Sequence, residues 1–373
     1  MLKARDTVVR LKEYHPPLGG RVGMRLDFNE NTAGCSPRVL AKLRALTPDD
    51  LARYPEREPA ERIAADYLGL APDQVLLTNG VDEAIHLLCE TYIESGDEAL
   101  IATPTFSMYE IYAAAAGASI VTVQSDETLA FPAERLLCAI TPRTRLIAVA
   151  NPNNPTGAVA DEATLLRIAA AAPQAALLVD EAYFDFYGRT LMPRIGELPN
   201  LFVARTFSKA YGMAGLRCGV LVGEREQMRM VRRVSSPYNV NAAALACLPD
   251  ALADREYIAA YAAQVRRGRE RVVRELAALG VRQWPTEANF ILFYIGERRL
   301  AFVEAMRRRG ILVRDRNGDP GCAGCVRITI GTDQQTDAAI TALREVFAEI
   351  GIRAVAPPSS AAGPLTRKEE VGA

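Results

Sequence analysis

The sequence of 373 residues lacks the features that define several other classes of protein. No apolar run reaches the ~18 residues that a membrane-spanning helix needs. Positive and negative side chains nearly cancel, with a formal net charge of −1, so neither sign indicates binding to nucleic acid or to an anionic membrane. The charged residues 1–6 contain no apolar segment of the kind found in a secretory signal. We therefore expect a cytoplasmic protein without a nucleic-acid or membrane partner.

Cysteine is neither frequent nor regularly spaced, with seven residues in the whole chain. An odd, scattered set in a chain of this size does not indicate a disulfide framework. Cys322 and Cys325 form a single CxxC pair, but the chain has no second pair and neither of its two histidines is nearby. We therefore predict no metal site and expect a structural role for both thiols, with a redox pair as the alternative.

The apolar content of 49% is sufficient for a full core, and the length predicts either two packed subdomains or a large domain with a smaller one. Several strand-like runs are almost entirely apolar, as expected for strands buried on both faces of a mostly parallel sheet. Helical patterns lie between them, including 82–95 and a segment that Asp161 caps. The pattern predicts an α/β fold with helices on both faces of a mostly parallel seven-stranded sheet. The predicted strands are 74–78, 99–103, 119–123, 145–151, 176–180, 201–205 and 218–223.

The pattern changes from about residue 237. A long helical stretch at 254–279 is followed by short strands at 290–294, 311–313 and 326–330, and by a last helix at 333–350. This indicates a smaller α+β domain that the N-terminal arm completes. We predict an arm and part of the small domain at 1–50, a large domain at 51–240, the C-terminal small domain at 241–355, and a disordered, proline-rich tail at 356–373.

The chemistry is most clearly indicated by Ser208 and Lys209, which follow the strand-like run at 201–205, and by Arg217 eight residues further on. A lysine in this position can form a Schiff base with an aldehyde cofactor, while a serine and an arginine can hold its phosphate. These are the requirements of pyridoxal 5′-phosphate (PLP). A Ser-Lys pair alone is a weak signal, because most lysines are simply solvated.

Further motifs stand where other predicted strands end. Asp180 closes a buried apolar strand and needs a partner such as a protonated pyridine nitrogen, with Tyr183 three residues on; capping the next helix is the alternative. Gly80 precedes a helix whose free N–H groups can bind phosphate. The alternative is that Gly80 only allows a simple turn between strand and helix. Phe106 can stack on a ring or belong to the core. These motifs and the Asn-Pro loop at 151–157 all follow the carboxyl ends of predicted strands, which is where α/β sheets bind ligands. Together they predict a PLP site.

With these motifs in this order, the chain resembles the fold type I PLP-dependent aminotransferases and, within them, the histidinol-phosphate aminotransferases. The resemblance runs from about residue 14 to residue 350. It rests on the motifs at 26–31 (Leu-Asp-Phe-Asn-Glu-Asn), 53–56, 151–157, 180–183, 208–210, 214–219, 237–241, 313–315 and 326–329.

The resemblance implies a set of cofactor contacts. Lys209 binds the cofactor covalently and moves the proton between substrate and cofactor. Asp180 pairs with the pyridine nitrogen, Asn154 and Tyr183 donate hydrogen bonds to the ring oxygen, and Phe106 stacks on the ring. The active unit is expected to be a homodimer, because one phosphate ligand comes from a second subunit. The phosphate ligands are Ser208, Arg217, the backbone N–H groups of Val81 and Asp82, and Tyr54 of that second subunit.

The resemblance also implies a substrate site for a small-molecule amino donor and a keto acceptor. Arg327 binds an anionic end, because a guanidinium suits both carboxylate and phosphate. Arg314 and Tyr14 help with a distal phosphate, and Asn29 lies near the substrate. The implied reaction converts histidinol phosphate and 2-oxoglutarate to imidazole acetol phosphate and glutamate, in histidine biosynthesis.

Two segments of the arm depart from the subgroup's usual pattern, at 15–17 and at 32–35, and the arm helps to choose the substrate. An aromatic amino-acid aminotransferase is therefore the alternative, followed by a threonine-phosphate decarboxylase. A PLP-binding protein or regulator without turnover is disfavoured by the presence of Lys209, Asp180, Tyr183 and Arg217.

Overall fold

The computed structural model describes residues 2–17 and 19–351, together with the backbone of residues 366 and 367. The strands are β1 (Met24–Arg25), β2 (Val75–Thr78), β3 (Glu98–Thr103), β4 (Ser119–Gln124), β5 (Thr144–Ala150), β6 (Ala176–Asp180), β7 (Leu201–Thr206), β8 (Gly219–Gly223), β9 (Phe290–Tyr294), β10 (Ile311–Leu312), β11 (Arg314–Asp315), β12 (Cys325–Thr329) and β13 (Thr366–Arg367).

The helices are α1 (Asp6–Val9), α2 (Pro37–Arg44), α3 (Pro48–Ala52), α4 (Glu58–Leu68), α5 (Gly80–Tyr92), α6 (Met108–Ala116), α7 (Ala133–Ala139), α8 (Glu162–Ala171), α9 (Phe184–Tyr187), α10 (Arg225–Val234), α11 (Ala242–Ala253), α12 (Arg255–Ala278), α13 (Arg299–Arg308) and α14 (Asp333–Ile350). None of the helices within these ranges combines the length and the apolar character needed to cross a bilayer.

The central sheet has the strand order β13-β4-β3-β5-β6-β7-β8-β2. Among the seven strands β2 to β8, β8 runs antiparallel to its neighbours β7 and β2, and the remaining pairs are parallel. Successive residues of one strand enter different hydrophobic clusters, as Leu76 and Leu77 do on β2. Both faces of the sheet are therefore covered, and the predicted α/β fold with a mostly parallel seven-stranded sheet is confirmed.

The predicted strands and helices lie within a few residues of the observed ones. Local sequence accounts for this precision: the side chain of Asp161 accepts a hydrogen bond from the Thr164 N–H at 2.6 Å and so begins α8 where the pattern places a cap. Thr332 and Gln335 form a capping box at the start of α14.

Two smaller sheets connect the beginning of the chain to its second half. Strands β9, β12 and β11 form an antiparallel sheet, and β1 of the arm pairs with β10. The arm also joins the first of these sheets, since the Leu26 carbonyl accepts a hydrogen bond from the Thr329 N–H at 2.8 Å. The predicted domain boundaries remain predictions. Of the tail predicted to be disordered, residues 366 and 367 pair antiparallel with β4, and the rest lies outside the described residues.

Candidate active site

One edge of the central sheet brings the predicted site residues together. Strands β2, β3, β5, β6 and β7 all end at this edge, and the antiparallel β8 begins there. Thr78 and Thr206, the last residues of β2 and β7, both pair with Gly219, the first residue of β8. The loops that follow these strands surround a cavity of about 230 Å³, called here the central cavity. It is lined by Phe28, Glu30, Val81, Asp82, Phe106, Tyr109, Ala150, Asn154, Asp180, Ala182, Tyr183, Thr206, Ser208, Lys209, Ala214 and Arg217.

Lys209 enters the central cavity from the loop after β7, and its Nζ donates a hydrogen bond to the Phe28 carbonyl at 3.1 Å. Burial lowers the pKa of Lys209 to about 8, and the nearby positive charges of Arg327 and Arg217 act in the same direction, whereas Glu30 opposes them. A substantial fraction of this amine is therefore neutral at mildly alkaline pH. A neutral amine is the form that attacks a carbonyl carbon.

Asp180, the last residue of β6, stands on the floor of the same cavity. Its Oδ2 accepts a hydrogen bond from the hydroxyl of Tyr109 at 2.6 Å, and its Oδ1 accepts one from the Ala182 N–H at 3.0 Å. Burial raises the pKa of Asp180 to about 6, while the hydrogen bond from Tyr109 opposes this rise. A cationic partner inside the cavity would offset the unfavourable free energy of burying this carboxylate in its charged form.

A phosphate-sized cradle lies where β2, β7 and β8 meet. Gly80 begins α5 with φ +75°, and a Cβ there would stand 2.5 Å from Nη2 of Arg217. That guanidinium contacts Oδ2 of Asp82 at 2.7 Å, so it is held beside the amino end of α5. The Ser208 hydroxyl is buried and has no hydrogen-bond partner among the described residues. Free N–H groups, a guanidinium and an unpaired hydroxyl form an anion site.

Another part of the cavity wall carries the ring of Phe106 and the polar groups of Tyr183 and Asn154. Phe106 meets Tyr109 edge to face, with ring centres 5.7 Å apart. The Tyr183 hydroxyl accepts a hydrogen bond from Nδ2 of Asn29 at 2.9 Å. Burial raises the pKa of Tyr183, so the phenol stays protonated. Its hydroxyl can therefore donate a hydrogen bond to an acceptor in the cavity. Asn154 also lines this wall.

These residues fit pyridoxal 5′-phosphate. The unpaired Ser208 hydroxyl and the cradle at Gly80 suit its phosphate, and the buried carboxylate of Asp180 suits its pyridinium nitrogen. Lys209 supplies the amine for its aldehyde, and Phe106 offers an apolar ring face.

Arg327 and Arg314 stand directly opposite each other on β12 and β11. Nη2 of Arg327 donates to the Asp27 carbonyl at 2.8 Å and its Nη1 donates to Oδ1 of Asn154. Burial lowers the pKa of both arginines, which nevertheless remain cationic at neutral pH. Among the described residues, Nε of Arg327 and Nη1 of Arg314 are buried without partners. Two facing cations with free donors indicate a binding site for an anion.

Arg314 does not line the central cavity but a neighbouring one of about 210 Å³, together with Arg21, Asp27 and Arg307. Tyr14 is exposed, yet it lies near enough to Arg314 to oppose the fall in the pKa of that guanidinium. Tyr54 does not line either cavity; it is 79% exposed and stacks on Tyr238 with ring centres 4.4 Å apart.

Besides Thr206 and the alanines, three side chains that line the central cavity were not predicted as site residues: Phe28, Glu30 and Tyr109. Tyr109 follows Phe106 by three residues at the start of α6, and helical spacing could have placed the two rings on one side. Phe28 and Glu30 flank Asn29, which the resemblance places near the substrate, and this proximity is the signal in the sequence for their position.

Cys322 and Cys325 lie apart from both cavities. The Cys325 N–H donates to the Cys322 carbonyl at 2.9 Å, and both thiols are buried against Trp284 and Leu292. Within the described ranges, no group of three or more His, Cys, Asp or Glu side chains could hold a metal ion.

Comparison with known proteins agrees with this geometry. Residues 21–343 match the family Aminotransferase class I and II. A histidinol-phosphate aminotransferase from Paracoccus denitrificans is 40% identical over 320 residues, covering 83% of this chain and 85% of the relative. One from Moorella thermoacetica is 35% identical over 365 residues, covering 93% of each. The crystal structure of histidinol-phosphate aminotransferase from Sinorhizobium meliloti in complex with pyridoxal-5′-phosphate superimposes with a TM-score of 0.85 at 25% identity, covering 94% of this chain and 99% of that one.

The chain therefore belongs to the class I and II aminotransferase family. The predicted class of enzyme is confirmed: it is a PLP-dependent transaminase of fold type I.

Proposed function

We propose that this protein is a histidinol-phosphate aminotransferase, which converts histidinol phosphate and 2-oxoglutarate to imidazole acetol phosphate and glutamate in histidine biosynthesis. The observation that carries the proposal is the facing pair Arg314 and Arg327 with their unfilled buried donors. The relatives at 35% and 40% identity bear the same name.

The cofactor, when bound, accepts electrons from the substrate and carries the amino group from one substrate to the other. Lys209 has the position and the lowered pKa to hold the cofactor and to move a proton at the carbon that carries the amino group. Asp180 keeps the ring nitrogen protonated, and Tyr183 with Asn154 hydrogen-bonds the ring oxygen. Ser208, Arg217 and the N–H groups of Val81 and Asp82 bind the phosphate, and Phe106 packs on the ring.

One anion site serves both half-reactions. Arg327 and Arg314 meet the phosphate of histidinol phosphate in one half-reaction and a carboxylate of glutamate in the other, because a guanidinium pairs with either group through two parallel hydrogen bonds. Tyr14 assists at the distal phosphate, and Asn29 lies beside the substrate. The contact of Arg327 with Asn154 joins this anion site to the cofactor wall.

The proposal includes a homodimer in the cytoplasm. Tyr54 and its stacking partner Tyr238 are exposed aromatic residues, and Val234 and Leu51 are exposed apolar residues. Contact with a second subunit would cover such side chains and bring Tyr54 to the phosphate of the partner's cofactor.

The test compares kcat/KM for histidinol phosphate and for phenylalanine as amino donors, with the PLP-loaded enzyme and 2-oxoglutarate as the acceptor. Histidinol phosphate should exceed phenylalanine by about 100-fold or more, because a phosphate dianion can engage both arginines, whereas the single carboxylate of phenylalanine leaves one of them without a partner. Arg327→Ala should weaken both histidinol phosphate and glutamate, and an effect on one alone would show that separate anion sites exist. A preference for phenylalanine would identify an aromatic amino-acid aminotransferase instead. Release of CO₂ from threonine phosphate would identify a decarboxylase.

A further inference from the structure

The ring of Phe28 is in contact with two guanidinium groups. The guanidinium carbon of Arg21 is 4.3 Å from the ring centre, and that of Arg314 is 5.1 Å from it. Both distances are within the range in which a cation is attracted to an aromatic face. Phe28 also lines the central cavity, whereas Arg21 and Arg314 line the neighbouring one. The ring therefore stands in the wall between the cofactor site and the distal anion site.

The first of these guanidiniums is fixed. Arg21 pairs with both carboxylate oxygens of Asp27, at 3.0 and 2.7 Å, and with Oε2 of Glu30 at 2.7 Å. The side chains of Arg21 and Asp27 are almost fully buried, so solvent screens these contacts weakly. Arg21 thus holds one face of the Phe28 ring in a defined position.

The environment of the second guanidinium, that of Arg314, differs from that of Arg21. Nη1 of Arg314 is buried and has no partner among the described residues, and Arg327 stands opposite it as a like charge. Repulsion between facing like charges favours a conformation in which Arg314 turns away. Attraction to the Phe28 ring opposes that movement.

The backbone around Phe28 is anchored to the reacting groups. The Asp27 carbonyl accepts from Arg327 and the Phe28 carbonyl accepts from Lys209, while the side-chain Nδ2 of Asn29 donates to the Tyr183 hydroxyl. Segment 27–30 therefore links the catalytic lysine to the ring that contacts Arg314, so the positions of the two depend on each other.

We propose that Phe28 is a specificity-determining positioning residue that holds Arg314 ready for the distal anionic group of the substrate. This inference rests on the proposed function, because it concerns the same substrate. The ring acts through Arg314, and it recognises the phosphate only indirectly.

The experiment measures kcat/KM for histidinol phosphate and for histidinol, which is the same donor without the phosphate, in the full PLP-loaded enzyme. Phe28→Leu should lower the preference for histidinol phosphate over histidinol about tenfold, mainly through KM for histidinol phosphate. Phe28→Tyr keeps an aromatic face and should restore the wild-type preference. Phe184→Leu is the matched control, since Phe184 is likewise half-buried and in contact with a guanidinium, that of Arg205, but it lines neither cavity; its preference should stay that of the wild type.

An equal loss with both donors in Phe28→Leu, or no change in preference, would overturn the inference, because either result would assign the ring a packing role. Phe28 is only half-buried, so leucine should be accommodated. If Phe28→Leu does not fold, Phe28→Met provides the same comparison with an unbranched apolar chain. A wild-type enzyme that shows no preference for histidinol phosphate would contradict the proposed function itself, which separates the two failures.

Discussion

The hydroxyl of Tyr109 donates a hydrogen bond of 2.6 Å to Oδ2 of Asp180, and both side chains are buried. Burial alone favours the neutral form of a carboxyl group, whereas a donated hydrogen bond favours its anion. The two influences act on Asp180 in opposite directions, and burial is the larger, so the pKa rises to about 6. Tyr109 therefore helps Asp180 to remain ionised as the counterion of a pyridinium nitrogen.

Tyr109→Phe should weaken cofactor binding about tenfold, because a buried hydrogen bond to a charged group contributes about 1.5 kcal/mol or more. It should also raise the pKa of Asp180 further, so the loss should be greater at pH 6 than at pH 8. Equilibrium dialysis with PLP at both pH values measures the effect. Tyr92→Phe is the matched control, since the Tyr92 hydroxyl also makes a hydrogen bond, to Gln227, but does not line the central cavity. Unchanged affinity in Tyr109→Phe would contradict this role.

The lowered pKa of Lys209 predicts how fast the cofactor-free protein takes up PLP. Only the neutral amine reacts with the aldehyde, and its fraction increases with pH, so the rate of attachment should rise with a midpoint near pH 8. Glu30 raises the pKa of Lys209, and Glu30→Gln should therefore move the midpoint to lower pH. The measurement is stopped-flow absorbance across a pH series.

Lys209→Arg serves as the control for this experiment, because a guanidinium does not lose its proton in this range. It should show no covalent attachment at any pH. A wild-type midpoint close to 10.4, the ordinary value of a lysine, would show that the cavity does not perturb the amine.

The sequence predicted the sheet and the strand-end residues well, because both depend on local patterns. Asp180, Ser208 and Lys209 follow apolar runs, and parallel strands necessarily bring their ends to one edge. The stack of Arg21, Phe28 and Arg314 could not be predicted in this way. It joins residues of the N-terminal arm to a residue of the second half of the chain, and its geometry depends on how β11 packs against the arm. The contact between Tyr109 and Asp180 likewise depends on how α6 packs on the neighbouring strands β3 and β4.

The exposure of Tyr54 predicts a site shared between subunits. Lys209→Ala and Tyr54→Ala should each be strongly impaired as homodimers. When the two variants are unfolded, mixed and refolded together, heterodimers should regain activity, because one of their sites combines an intact Lys209 with an intact Tyr54 of the other subunit. At equal proportions half of the dimers are mixed and each has one complete site, so activity should approach about a quarter of the wild-type value. No recovery would place Tyr54 in the site of its own subunit.

Gly219 should be required for the shape of the phosphate cradle. A Cβ at this position would stand 2.8 Å from the Gly80 carbonyl carbon and 3.0 Å from the Val81 nitrogen, and backbone atoms cannot turn aside as a side chain can. Gly219→Ala should therefore displace the amino end of α5, destabilise the fold by about 1–3 kcal/mol in urea unfolding, and weaken PLP binding. Gly215→Ala is the matched control two residues before Arg217, since its Cβ would meet nothing within 4 Å. If Gly219→Ala binds PLP as tightly as Gly215→Ala, the meeting point of β2 and β8 does not shape the phosphate site.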